Sequence, residues 1–140
     1  MASFTVSRLY DEPRSDVFAV FNDIGNVAQI SPGLAGSKRE NKKPGKGAVR
    51  SCDFGKGRGI KEEVTAWKKD ELIQFSQVEV WGVPMNHMVA DFVFEDIDGK
   101  TRVSATMDYD MKMGWLMNPI MKGQLRKGFV QMLDGAATKL

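Results

Sequence analysis

The sequence predicts an α+β fold: a curved antiparallel sheet of about seven strands wrapped around a long C-terminal helix, with two short helices after the first strand. Three observations carry that prediction. An alternating run at the N-terminus is followed at once by helix-start signals. Residues 37 to 112 then break into short β-like runs separated by turn signals. Residues 118 to 140 place apolar side chains at three-to-four spacing. A continuous meander of this kind must curl, and its apolar face needs a cover that only the terminal helix is long enough to supply.

Each element has its own signal. Phe4, Val6, Arg8 and Tyr10 alternate with Thr5, Ser7 and Leu9, which is a strand from about residue 3 to residue 10. In DEPRSDVFAVFNDIG, Pro13 suits the first position of a helix, acids stand in its opening turn, and Val17, Phe18, Phe21 and Ile24 recur at helical spacing. A second helical turn within residues 25 to 36 is stopped by Ser31-Pro32-Gly33. The breaks KKPGKG, FGKGRG, KKDE, WGVPMN and EDIDGK then delimit about six strands. In two of them the faces separate cleanly: Met88, Ala90, Phe92 and Phe94 share one side, as do Val103, Ala105, Met107, Tyr109 and Met111. In the last helix Asn118 suits the cap and Pro119 the first turn, and Met117, Met121, Leu125, Phe129, Met132 and Ala136 form the apolar stripe.

The totals bound the function. With 140 residues, 42% apolar and 27% charged, the chain reads as one domain over residues 1–140, with an ordinary core. A net charge of +2 gives no concentrated basic face, so nucleic acid is not an expected partner. One cysteine, Cys52, excludes an intramolecular disulfide and suits a reducing compartment. The N-terminus shows no signal-peptide run and no stretch approaches the roughly 20 apolar residues of a bilayer span, so a cytoplasmic location without an integral membrane segment is expected.

The order of elements, the entry DIGNVAQISPGL at 23 to 34, GAVRSC at 47 to 52, the strand KEEVTAW at 61 to 67 and the turn-strand GKTRVS at 99 to 104 together resemble the START-like helix-grip superfamily (SRPBCC). Within it, the polyketide cyclase/dehydrase-like branch is the nearest in pattern. Ile30 departs from it, standing where many members carry Trp in a W-x-P arrangement. The resemblance covers essentially the whole chain and implies a helix-grip fold with a ligand cavity between sheet and C-terminal helix. It also implies a polar residue of the Arg50 strand inside that cavity.

Candidate chemistry is sparse. GKGRG at 55 to 59 precedes a charged strand rather than a helix, so it reads as a hairpin turn and not as a phosphate loop. His87 is the only histidine and has no spaced partners for a metal site or triad, so no metal and no cofactor are expected. Cys52 reads as a small hydrophobe. Asp108 and Asp110 alternate away from Met107 and Tyr109 and read as a solvated face. Arg50 shares a strand face with Ala48, Cys52 and Phe54, and Glu62 shares one with Ile60 and Val64. If both are the covered face, two opposite charges sit in an apolar chamber and must find each other, water or a ligand. An edge-strand salt bridge near solvent fits the same spacing, and the sequence leaves both open.

The leading expectation is binding of a hydrophobic or aromatic small molecule, lipid-like or polyketide-like. Its expected lining is Arg50, Phe54, Glu62, Phe75, Trp81, Met88, Phe92, Tyr109, Met117, Met121, Leu125 and Phe129. Arg50, Glu62 and the Tyr109 hydroxyl would orient polar groups. The alternative is polyketide cyclase/dehydratase-type catalysis, with Glu62 and His87 as the candidate acid or base. A protein-interaction adaptor is the third reading, and, independently of the three, the sequence leaves a homodimer open. The segment MKMGWLMNPIMKGQLRKGF, residues 111 to 129, holds four methionines, four basic residues and no acid. Because the sheet needs its apolar stripe, it reads as the cover of the sheet, with Lys122, Arg126 and Lys127 outward. Met107, Met111, Met117, Met121 and Met132 suit a deformable chamber, a solid core being the alternative.

Overall fold

In the computed structural model, which describes residues 2–140, the alternating N-terminal run is β1, Ala2–Tyr10, with Phe4, Val6 and Tyr10 buried on one side. There follow α1 (Arg14–Asn22), a 3-10 segment (Ile24–Gln29), β2 (Gly36–Arg39), β3 (Val49–Gly55), β4 (Arg58–Lys68), β5 (Leu72–Trp81), β6 (Met85–Ile97), β7 (Lys100–Met111) and α2 (Gly114–Ala137). The strands form one antiparallel sheet of seven in the order β1-β7-β6-β5-β4-β3-β2. From β2 to β7 every strand pairs with its sequence neighbour, as a meander must, and β1 closes on β7.

Turn chemistry sets the hairpins. Lys56 and Gly57 take φ of 57° and 74° between the paired Gly55 and Arg58, so GKGRG is the two-residue turn whose twist matches that of its strands. Asp98 and Gly99, at 53° and 87°, do the same between Ile97 and Lys100.

Two covers share the apolar face. α1 buries Val17, Phe18 and Phe21, with Phe18 edge-on to Phe94 at 5.1 Å and Phe21 tilted against Phe92 at 5.6 Å. α2 lies over β1 and β7, and Phe129 meets Phe4 at 5.4 Å and stacks on Phe92 at 5.8 Å. α2 meets the end of the 3-10 segment where Gly135 passes the carbonyl of Ile30, so closely that a Cβ there would fall inside contact distance.

Two expectations about the ends of helices need correction. Pro13 stands just outside α1, as its N-cap. α2 begins at Gly114, with Met113 at φ 56° before it, so Asn118 is no cap and Pro119 lies inside the helix. Asn118 is buried instead, because its amide is needed elsewhere: Oδ1 accepts from the Met111 N–H at 2.8 Å and Nδ2 donates to Asp110 Oδ1 at 3.0 Å. That pair of bonds staples the helix to the end of β7. Asp110 is accordingly half-buried and engaged, not merely solvated.

Candidate functional site

β3 and β4 bring Arg50 and Glu62 into direct register. Both side chains point to the covered face and are 5% and 6% exposed, so the interior placement holds and the solvent-edge alternative falls. Arg50 Nε donates to Glu62 Oε1 at 3.0 Å, and Nη1 donates to the Ile24 carbonyl at 3.4 Å, where the chain enters the 3-10 segment. The guanidinium also lies over the Phe75 ring, 3.8 Å from its centroid. Hydrogen bonding, charge pairing and an aromatic face thus offset the desolvation of the cation.

Cys52, which looked like a plain small hydrophobe, belongs to the same cluster. Its Sγ donates to Glu62 Oε1 at 3.5 Å. Burial first, and the Glu62 charge second, push the thiol from its ordinary value up to about 12, with Arg50 opposing. Gln77 is the second residue that the sequence reading missed. It is the cross-strand partner of Glu62, its Nε2 donates to the Met85 carbonyl at 3.3 Å, and its buried Oε1 has no partner among the described residues.

Of the other expected lining residues, Phe75, Met88, Phe92 and Tyr109 are buried on this same face. Met117, Met121, Leu125 and Phe129 face it from α2 but are only half-buried, and Phe54 is half-buried at the end of β3. The Tyr109 hydroxyl is committed, donating to the Asn118 carbonyl at 2.7 Å, so it orients the helix rather than standing free for a ligand.

Trp81 is not part of this group. In the register of β4 with β5, Lys61 faces Glu79 and Glu62 faces Gln77, leaving Val78 as an extra residue. That bulge reverses the side on which later residues point. Trp81 consequently packs over Gly59 on the outer face and is 36% exposed. His87 also points outward, cross-strand from Asp110 and just after a register shift between Met85 and His87. It is therefore on the opposite side of the sheet from Glu62.

Free space is scarce inside. A void of about 10 Å³ lies among Val27, Ile30, Arg50, Phe75, Phe92 and Met132, room for a single water at most. A wider recess of about 490 Å³ opens on the far side of α1, where Glu12, Asp16, Asp23, Asn26, Gln29 and Lys139 make it polar. Among the described residues no three His, Cys, Asp or Glu side chains gather as metal ligands would.

The arrangement is a closely packed apolar interior with one charged, hydrogen-bonded end. A family model described as polyketide cyclase/dehydrase and lipid transport matches residues 1–140. The chain belongs to this family. Among solved structures, a protein of Thermus thermophilus superposes with a TM-score of 0.82 at 15% identity, over 99% of this chain and 96% of that one. The ZhuI aromatase/cyclase of a Streptomyces species gives 0.80 at 13% identity, over 99% and 92%. The di-domain aromatase/cyclase StfQ of the steffimycin biosynthetic pathway gives 0.81 at 10% identity, with 97% of this chain covering 49% of that one. No curated protein matches the chain. At these identities the structural likeness establishes the fold, which is the helix-grip architecture of the polyketide cyclase/dehydrase family.

Proposed function

We propose that residues 1–140 form one ligand-binding domain that takes an apolar or aromatic small molecule between the concave face of the sheet and α2. The observation that carries the reading is the buried Arg50–Glu62 pair set against the Phe75 ring, with the unpaired Gln77 Oε1 across the strand. A core has no need of this cluster, since apolar residues of equal volume are often at least as stabilising. A ligand with one polar or anionic end would use the Arg50 donors and the Gln77 acceptor, while Phe75, Phe92 and the methionines contact its apolar body. The family description, which includes lipid transport, supports the same class of ligand.

Because the interior void is so small, binding requires repacking. α2 supplies the means: it rests on β1 and β7, and Met117, Met121 and Met132 on its inner side are half-buried, flexible side chains. The one thiol is free and buried, which suits a reducing, cytoplasmic compartment.

Cyclase-type catalysis is the second reading, favoured by Glu62 being the carboxylate on the concave face. His87 drops out of it as a partner, lying on the other side of the sheet. The test is a fluorescence titration with anilinonaphthalene sulfonate, an apolar anion. Wild type is expected to bind it, and Arg50→Met/Glu62→Leu to bind at least about tenfold more weakly while keeping its fold, the loss of one charged contact being worth that much. Equal binding by both proteins would remove Arg50 and Glu62 from any ligand site.

A further inference from the structure

α2 was expected to turn only a basic face outward, and its first two turns do otherwise. Trp115 is 81% exposed, Met113 and Ile120 are each 61% exposed, and Leu116 stands beside them at 43%. None of these is needed to cover the sheet, because Met117, Met121 and Leu125 already do so. The start of α2 is moreover fixed to one end of the molecule. The Lys112 N–H donates to the Pro84 carbonyl in the β5–β6 connection at 2.8 Å, and that connection packs against the β3–β4 hairpin where Gly82 meets the Gly57 carbonyl.

Charge gathers at this same end. The hairpin presents Lys56 and Arg58 to solvent and the helix start presents Lys112, with Lys122 two turns on; Arg126 and Lys127 continue the basic side further along α2, where Arg126 donates to the Thr5 carbonyl at 3.3 Å. No acid occurs from residue 111 to residue 133. Three acids stand near this end: Glu79 is paired with Lys61, while Asp53, which accepts from the Gly55 N–H, and Asp110, which accepts from Asn118, keep their charge, so the local balance is basic by the excess of lysine and arginine over these two. Protruding Trp, Met, Leu and Ile side chains within a basic collar match the lipid interface, where indole rings sit at headgroup depth and lysines meet anionic lipid.

We propose that this end, led by Trp115 and Ile120, docks on membrane surfaces that carry anionic phospholipids. No helix is long and apolar enough to cross a membrane among the described residues, so the contact is peripheral. A second copy of the chain fits less well, because a two-fold contact through this patch would press the same lysines against each other.

Flotation with phosphatidylcholine vesicles, with and without roughly one-third phosphatidylglycerol, tests this. Wild type is expected to bind the anionic vesicles at least roughly tenfold more tightly than the neutral ones, and to be released as salt screens the contact. Trp115→Ser/Ile120→Glu should lose at least tenfold in binding with an unchanged melting temperature, since both side chains are exposed. Lys112→Gln/Lys122→Gln should lose binding to the anionic vesicles and leave the residual neutral binding as it was. Indifference to phosphatidylglycerol, retention of binding by both variant pairs, or a dimer that Ile120→Glu dissolves would each overturn the proposal.

Discussion

Replacing Arg50 by Met and Glu62 by Leu, singly and together, separates what the buried pair does for the fold from what it does for a ligand. Glu62→Leu leaves a guanidinium with only the Ile24 carbonyl at 3.4 Å and the Phe75 face, inside a site 5% exposed. A buried charge deprived of its partner costs about 3–5 kcal/mol, and the remaining cation–π contact holds the loss toward the lower value. Arg50→Met leaves the Glu62 carboxylate with only the Cys52 thiol at 3.5 Å and also removes the contact with Phe75, so its loss should be the larger, about 4–5 kcal/mol. The double variant leaves no charge to bury. Its stability should fall within about 1 kcal/mol of wild type or exceed it, so that the two losses are strongly non-additive. Urea unfolding at neutral pH, followed by tryptophan fluorescence, gives all four values. A Glu62→Leu loss below about 1 kcal/mol, or a double variant as damaged as the sum of its parts, would refute the reasoning.

Three further predictions rest on other contacts. Gly135→Ala forces a Cβ onto the Ile30 carbonyl and should cost roughly 3 kcal/mol in the same unfolding assay, whereas an unchanged midpoint would mean that α2 does not meet the end of the 3-10 segment there. Asn118→Ala strands the Met111 N–H and should cost about 2–3 kcal/mol; hydrogen exchange at Met111 should speed up with it, and unaltered exchange would contradict the staple. Cys52 titrates near 9 when unfolded and near 12 when folded, so below about pH 9 both states keep the proton and stability is full. Between about pH 9 and pH 12 only the unfolded state loses it, and stability falls by up to about 1.4 kcal/mol per pH unit. Burial raises the Tyr10 phenol as well and adds a decline of the same sign. Cys52→Ala should therefore lose stability less steeply over that window, and an identical slope would count against the buried thiol.

Where a single local signal decided a feature, the sequence was enough. The Lys56-Gly57 and Asp98-Gly99 turns, the alternation of β6 and β7, and the long terminal helix all follow from backbone and period rules that need no tertiary context. Arg50 and Glu62 were legible as a pair, because period-two counts put Arg50 with Cys52 on one strand and Glu62 with Ile60 on the next, but which way those faces turn was settled only by the sheet. The misses came from tertiary competition. Asn118-Pro119 has the composition of a helix start, but the asparagine amide is claimed by Met111 and Asp110, and the helix extends back to Gly114. Trp81 followed the same odd-numbered count as Phe75 until the extra Val78 reversed it, and a bulge has no reliable mark in one sequence. Gln77 falls on the face of Phe75 by the same count, ahead of the bulge, but a lone polar residue in a strand gave no sign of an inward role, which its register with Glu62 and its buried Oε1 reveal.

The measurement that bears most directly on binding beneath α2 is an NMR titration of protein carrying labelled methionine methyl groups, with anilinonaphthalene sulfonate as ligand. Met88, Met117, Met121 and Met132 stand around the proposed site, whereas Met113, just before α2, is 61% exposed. Saturable shifts at those four methyls, lost in Arg50→Met/Glu62→Leu and absent at Met113, are the predicted result. Shifts confined to Met113, or none at any methionine while the dye still binds, would place the ligand elsewhere and contradict the account.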